Sequence, residues 1–178
     1  TYYLEKEKGW SGICIEPNPN VFESLVRNRK LPCLSCGVCN FSGRTDFTLI
    51  KGYSEMLSGI TKTYNLAHPK RIDWEIDNMG GNKESIQIEV KPLEHIFREN
   101  NISYIDYISI DTEGSEEQIL KSINFNDVYI DVISVECNYG IDQIQEFLFK
   151  KGFTFLERIG DDKFFRNMSN KNPFVVSK

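Results

Sequence analysis

An α/β domain built on a mainly parallel sheet is the fold the sequence predicts, on three observations. Short apolar runs rich in Ile and Val alternate with segments of helical spacing at least three times, the rhythm of strand–helix–strand units. Three of those runs stop on acids, at Glu16, Asp111 and Glu136, so polar groups gather where parallel strands would end. A chain of 178 residues, 40% of them hydrophobic, is long enough to bury one real core, so 1–178 reads as a single domain.

The elements follow in order. Tyr2, Tyr3, Leu4 and Lys8 are spaced for one helix face, with Glu5 and Glu7 opposite, so a helix is already under way at Thr1 and stops at Gly9. Trp10 to Glu16 reads as a buried strand, broken by Pro17-Asn18-Pro19. From Asn20, the residues Val21, Phe22, Leu25 and Val26 have helical spacing, and Arg27, Arg29 and Lys30 suit the negative end of the helix dipole. Leu34 to Val38 reads as the next strand, and Asp46 to Ile50 alternates as a hairpin or edge strand would, after a turn at Gly43. Residues 51–84 carry Gly52, Gly59, Pro69, Gly80 and Gly81 with little periodicity, which predicts a long loop excursion of the functional kind. Ile86 to Val90 alternates as a strand, and Pro92 to Asn100 is a helix turning Leu93, Ile96 and Phe97 inward and carrying His95. The strand Tyr107 to Asp111, the helix Ser115 to Ser122, the strand Ile130 to Glu136 and the helix Ile141 to Lys151 come next. An antiparallel pair, 153–158 and 162–166 around Gly160-Asp161, closes the domain ahead of a tail at 168–178.

Charge and composition exclude several classes. A net charge of −5 argues against phosphate neutralisation, and so against a nucleic-acid partner. No apolar stretch nears the roughly 20 residues a bilayer crossing needs. Five cysteines form no regular framework in a chain with ample apolar residues, which predicts reduced thiols and a cytoplasmic setting. Cys33, Cys36 and Cys39 recur at every third position, yet a strand would turn Cys36 opposite to the other two, and no fourth thiol or His lies near in sequence. They are expected to bind no metal.

Ligands of open α/β sheets bind beyond the carboxyl ends of the strands, which makes the acidic strand ends the places to inspect. Glu16 ends what would be the second strand of a Rossmann unit, where a carboxylate can accept hydrogen bonds from both ribose hydroxyls of a nucleoside cofactor. NAD and S-adenosylmethionine satisfy it equally. Asp111-Thr-Glu-Gly-Ser-Glu116 places three carboxylates in one strand-to-helix turn. Glu116 and Glu117 are explained by the helix dipole, whereas Asp111 and Glu113 are left as candidates for chemistry.

Gly9-Trp-Ser-Gly-Ile-Cys-Ile-Glu-Pro-Asn-Pro19, then Met56-Leu-Ser-Gly-Ile60, then Ile110-Asp-Thr-Glu-Gly-Ser-Glu116 resembles the FkbM methyltransferase family in order and spacing, over Thr1 to about Asn167. The resemblance implies a Rossmann-like class I methyltransferase sheet and S-adenosylmethionine as cofactor. By the same resemblance, Glu16 binds the ribose, with Thr1, Pro17, Asn18 and Asp111 also around the cofactor. The turn at Gly37 and Val38 flanks adenine, and Asp111 with Glu113 faces the methyl-transfer centre. Family members open with a strand and a glycine-rich loop that this sequence does not contain, so the resemblance implies an N-terminally incomplete domain.

The acceptors so implied are hydroxyls of glycans or small molecules, which need a base or a metal to take the proton. Asp111 is the first candidate base, and His68 in the long loop is another candidate for base or substrate contact. Asp111, Glu136 and Asn138 could instead supply oxygen ligands to Mg²⁺. Two rivals stand beside the methyltransferase: a non-catalytic nucleoside-binding or scaffolding domain that kept the fold, and an NAD-dependent oxidoreductase, which shares Glu16 but gives no account of the DTEGSE turn.

Overall fold

A computed structural model describes residues 1–136 and 141–169. Its contacts divide into two compact units: Thr1–Lys91 with Glu113–Ser115, and Pro92–Thr112 with the described residues from Glu116 onward.

The first unit opens with α1 (Tyr2–Lys8), which ends at Gly9 with φ 68, a left-handed turn that glycine adopts without a Cβ penalty; the Gly9 amide takes part in capping through Leu4 O. Two very short strands, β1 (Cys14–Ile15) and β2 (Cys33–Leu34), pair in parallel. Between them runs α2 (Pro19–Asn28). Asn18 caps it, its side chain accepting the amides of Asn20 and Val21, and Pro19 occupies the first turn, where its missing N–H costs nothing. A second sheet has the order β3-β6-β4-β5, formed by β3 (Gly37–Val38), β4 (Gly43–Gly52), β5 (Gly59–Ile60) and β6 (Gly81–Lys91). Cys39, Phe47, Leu49, Ile60, Ile88 and Val90 make one apolar cluster in this unit, while Ile50, Leu57 and Ile72 make another. Ile72 comes from α3 (His68–Met79). Each such side chain contributes about 1.5–3 kcal/mol through burial.

The second unit is a four-stranded sheet of order β7-β8-β10-β9, made of β7 (Tyr104–Ile110), β8 (Tyr129–Glu136), β9 (Phe153–Ile159) and β10 (Asp162–Asn167). β7 and β8 are parallel, and β10 runs antiparallel to β8 and to β9. With it belong α4 (Leu93–Glu99), α5 (Glu116–Ser122) and α6 (Ile141–Lys150). The core holds Ile119, Leu120, Ile130, Ile133, Val135, Leu148 and Phe165, all essentially inaccessible to water.

Most expected elements form, and the antiparallel closing pair forms where expected; four expectations are corrected. The sheets are mixed rather than mainly parallel: of the seven strand pairings described, β1 with β2, β3 with β6 and β7 with β8 are parallel, and four are antiparallel. The run 34–38 is two strands in two sheets, because the chain leaves β2 at Leu34 and re-enters at Gly37. β4 pairs antiparallel, as a hairpin strand would, but is no edge strand; it is paired on both sides, by β5 and β6. Residues 51–84 are not a structureless excursion either. They contain two 3₁₀ turns, β5, the twelve-residue α3 and the start of β6. Helix α3 shows weak periodicity because it buries only His68 and Ile72.

Candidate functional site

Glu16 follows β1 directly. Its amide continues the ladder to Leu34 O at 3.0 Å, and its Oε1 accepts the Asn18 amide at 2.8 Å. Asn18 is only 2% exposed. Asn18 Oδ1 is used in capping α2, while its Nδ2, also buried, has no hydrogen-bond partner among the described residues. A carboxylate acceptor and a buried amide donor thus stand within one turn of the strand end.

The Thr1 hydroxyl accepts Arg29 Nη2 at 2.9 Å. Arg29 also donates to Glu5 at 3.0 Å, and the Lys30 amide, followed by Arg29 and Lys6, holds the Glu5 carboxyl below its ordinary range. Gly37 and Val38 form β3, not a turn. A Cβ at Gly37 would approach Ile88 Cδ1 at 2.8 Å and Val90 Cγ1 at 2.9 Å, so packing against β6 requires a glycine there.

The described cysteines, Cys14, Cys33, Cys36 and Cys39, form no disulfide with one another. Cys14 and Cys33 are register partners on β1 and β2; burial pushes the Cys14 thiol up.

Glu113 and His68 meet in the first unit. His68 begins α3 and is 2% exposed, and its Nδ1 lies 3.8 Å from Glu113 Oε2, an ion-pair distance longer than a hydrogen bond. His68 Nε2 stands 3.1 Å from the Leu57 carbonyl. Tyr64 packs its ring on His68 at 4.3 Å between centroids and donates its hydroxyl to the same carbonyl at 2.9 Å; burial pushes its phenol far up. Glu113 adopts φ 55, which is unfavourable for a residue with a Cβ. Gly59 allows this closeness, since a Cβ there would lie 2.7 Å from Tyr64 Cε1 and 3.3 Å from Glu113 Cβ. The sequence offered His68 and Glu113 separately. Tyr64 and the reason for Gly59 were missed: Tyr64 lies only five residues from Gly59 and four from His68, but no periodicity in that stretch records that they pack together, and Glu113 lies some fifty residues further along.

Asp111 and Glu136 meet in the second unit. Asp111 follows β7 and Glu136 ends β8, its parallel neighbour, and their carboxyl oxygens lie within 4.8 Å. Asp111 is exposed on one side. The protein packed around the rest of it drives its carboxyl above the ordinary aspartate value, a hydrogen bond with Glu136 opposes this, and the charges of Glu116 and Asp162 add to the rise. Asp162, unforeseen in the sequence, sits opposite Glu136 in the β10–β8 register. Glu116 is spent locally, its Oε1 accepting the Thr112 amide and hydroxyl, both at 2.9 Å. Asn138 lies outside the described residues.

No described helix is long and apolar enough to cross a membrane. No solved structure matches the chain. The chain is similar to the methyltransferase sdnD of Sordaria araneosa, 27% identical over 131 residues, which cover 63% of this chain and 51% of that protein; it thus spans about half the length of the relative it matches. The family model for the methyltransferase FkbM domain matches residues 1–163, from α1 through the Glu16 turn and the Asp111 strand end into β10, and the chain therefore belongs to the FkbM methyltransferase family.

Proposed function

We propose that the chain transfers the methyl group of S-adenosylmethionine to a hydroxyl of a sugar, a glycan or another small metabolite, with the working residues at the carboxyl ends of its parallel strand pairs. The observation that carries this reading is Asp111: an aspartate at the end of a parallel strand, open to solvent and hydrogen-bonded to a second carboxyl, with its proton affinity raised by its surroundings. Such a carboxyl is suited to meet a hydroxyl proton.

The residues around Glu16 fit a nucleoside. Two carboxylate oxygens match two ribose hydroxyls, and the buried Asn18 Nδ2 has a donor to offer a polar ligand. S-adenosylmethionine supplies a sulfonium methyl. The acceptor oxygen forms the new C–O bond as the C–S bond breaks with its electron pair going to sulfur, and the hydroxyl proton passes to Asp111. Positioning supplies most of the acceleration.

Methyl-labelled S-adenosylmethionine, incubated with a panel of simple glycosides and small alcohols, tests the reading. Label transfer is expected, with Asp111→Asn lowering turnover by about 10²–10⁴. Glu16→Ala should weaken calorimetric binding of S-adenosylmethionine by roughly 2–4 kcal/mol. Binding without transfer would favour the non-catalytic nucleoside-binding domain instead. The close oxygens of Asp111 and Glu136 also favour a second version in which they hold Mg²⁺, whose preference is for hard oxygen donors. In that version activity disappears with a chelator and returns with Mg²⁺.

A further inference from the structure

Strands β1 and β2 are only two residues long, yet their register sets a cysteine beside a cysteine: Cys14 is the partner of Cys33, and Ile15 of Leu34. The ladder fixes that register from both ends, with the Cys14 amide donating to Pro32 O at 2.9 Å and the Glu16 amide to Leu34 O at 3.0 Å. Paired strands lie roughly 4.7–4.9 Å apart, inside the ~4.4–6.8 Å between Cα atoms that a disulfide spans. Side-chain rotation alone can therefore bring the two sulfurs to bonding distance. They already touch. The Cys33 thiol donates to Leu31 O at 3.3 Å, which leaves its sulfur as an acceptor, and the Cys14 thiol is hydrogen-bonded to it.

Access separates this pair from the other described cysteines. Cys14 and Cys33 are half-buried, whereas Cys36 and Cys39 are buried, and the Cys39 thiol is directed at Asn40 Oδ1 at 3.5 Å. A small reagent thus reaches the first two thiols before the others. Burial favours the uncharged Cys14 thiol against the pull of the Arg29 guanidinium, so the thiolate that begins an exchange is a minor species and the reaction is slow.

We infer that Cys14 and Cys33 form a reversible oxidation site, which a small-molecule disulfide converts into an intrachain disulfide clipping β1 to β2 beside the Glu16 turn. One cysteine thiolate attacks a sulfur of the incoming disulfide, forming a mixed disulfide and releasing one small thiol; the second cysteine then displaces the other. Two S–H bonds of the protein and one S–S bond of the reagent become one S–S bond of the protein and two S–H bonds of the reagent, so electrons and protons balance. Alternation along β1 puts Cys14 and Glu16 on one side and Ile15 on the other. The ring closed by the bond contains Glu16, Asn18 and all of α2, and it opposes fraying of a parallel pair held by few rungs. None of this depends on the methyl-transfer reading.

Incubation of the full chain with oxidised glutathione, alkylation of the remaining thiols and peptide mass spectrometry tests the site. Cys33, Cys36 and Cys39 share one tryptic peptide, residues 31–44, so fragment ions decide which of them is linked. The expected product has lost two hydrogens, joins Cys14 to Cys33, and returns to five alkylatable cysteines after dithiothreitol and unfolding. Hydrogen exchange at the Glu16 amide should slow by about tenfold or more in the linked protein. Cys33→Ser should leave Cys14 as a glutathione adduct with no intrachain bond, while Cys36→Ser should leave the Cys14–Cys33 link intact. Separate glutathione adducts on Cys14 and Cys33 in the wild-type chain, Cys14 joined to any other cysteine, or both thiols still free after oxidation overturns the inference. Unchanged exchange at Glu16 in linked protein overturns the clip.

Discussion

Gly59→Ala is the sharpest structural perturbation this fold allows. The added methyl would stand 2.7 Å from Tyr64 Cε1, 3.1 Å from its hydroxyl and 3.3 Å from Glu113 Cβ. The tyrosine ring has little room to yield, since its hydroxyl is committed to Leu57 O at 2.9 Å and its face lies on His68. Overpacking of this kind costs about 1–3 kcal/mol. Losing a glycine also removes unfolded-state freedom, which returns roughly 0.4–1 kcal/mol. The clash wins, by about 1–2 kcal/mol. For a chain of 178 residues, where 1 kcal/mol moves Tm by roughly 2–4 °C, the melting temperature should fall by about 2–8 °C. Thermal unfolding followed by circular dichroism measures it. Combining the change with Tyr64→Ala should give less than the sum of the two losses, because the ring that meets the methyl is gone. An unchanged Tm in Gly59→Ala, or strict additivity with Tyr64→Ala, would refute the packing argument around Glu113.

Two further outcomes follow from the strand ends. The Asp111 carboxyl has a raised native pKa, so its contribution to stability is complete below the unfolded value, about 3.9, and is lost as pH rises through the native value. Asp111→Asn should then be at least as stable as wild type at pH 7 in urea unfolding and lose that advantage near pH 4; a variant less stable at pH 7 and unaffected by acid would contradict the crowding by Glu116 and Asp162. Asn18→Ala removes the cap of α2 and should cost about 1 kcal/mol, a fall in Tm of roughly 2–4 °C, and a full-strength helix signal with unchanged Tm would show that the cap contributes nothing.

How much was legible in the sequence depended on how local the cause was. Alternating apolar residues, a proline-rich breaker after Glu16 and a Gly160-Asp161 turn act over a few residues, so β8, α2 and the closing pair β9–β10 could be read directly. Helix α3 could not, because it buries only His68 and Ile72 and leaves most of its turns in water, which erases the 3.6-residue pattern. The packing that requires a glycine at position 37 could not be read either, because Ile88 and Val90 lie some fifty positions away.

The sequence by itself determined the family, the strand-end acids Glu16, Asp111 and Glu136, and most of the helices, since each of these is written in short-range pattern or motif. Only the tertiary structure decided that β4 is paired on both sides, that Asp162 stands opposite Glu136, and that Tyr64, His68 and Glu113 share one buried corner made possible by Gly59. Those facts rest on contacts between residues far apart in the chain, where register and excluded volume select the neighbours and no local periodicity records the choice.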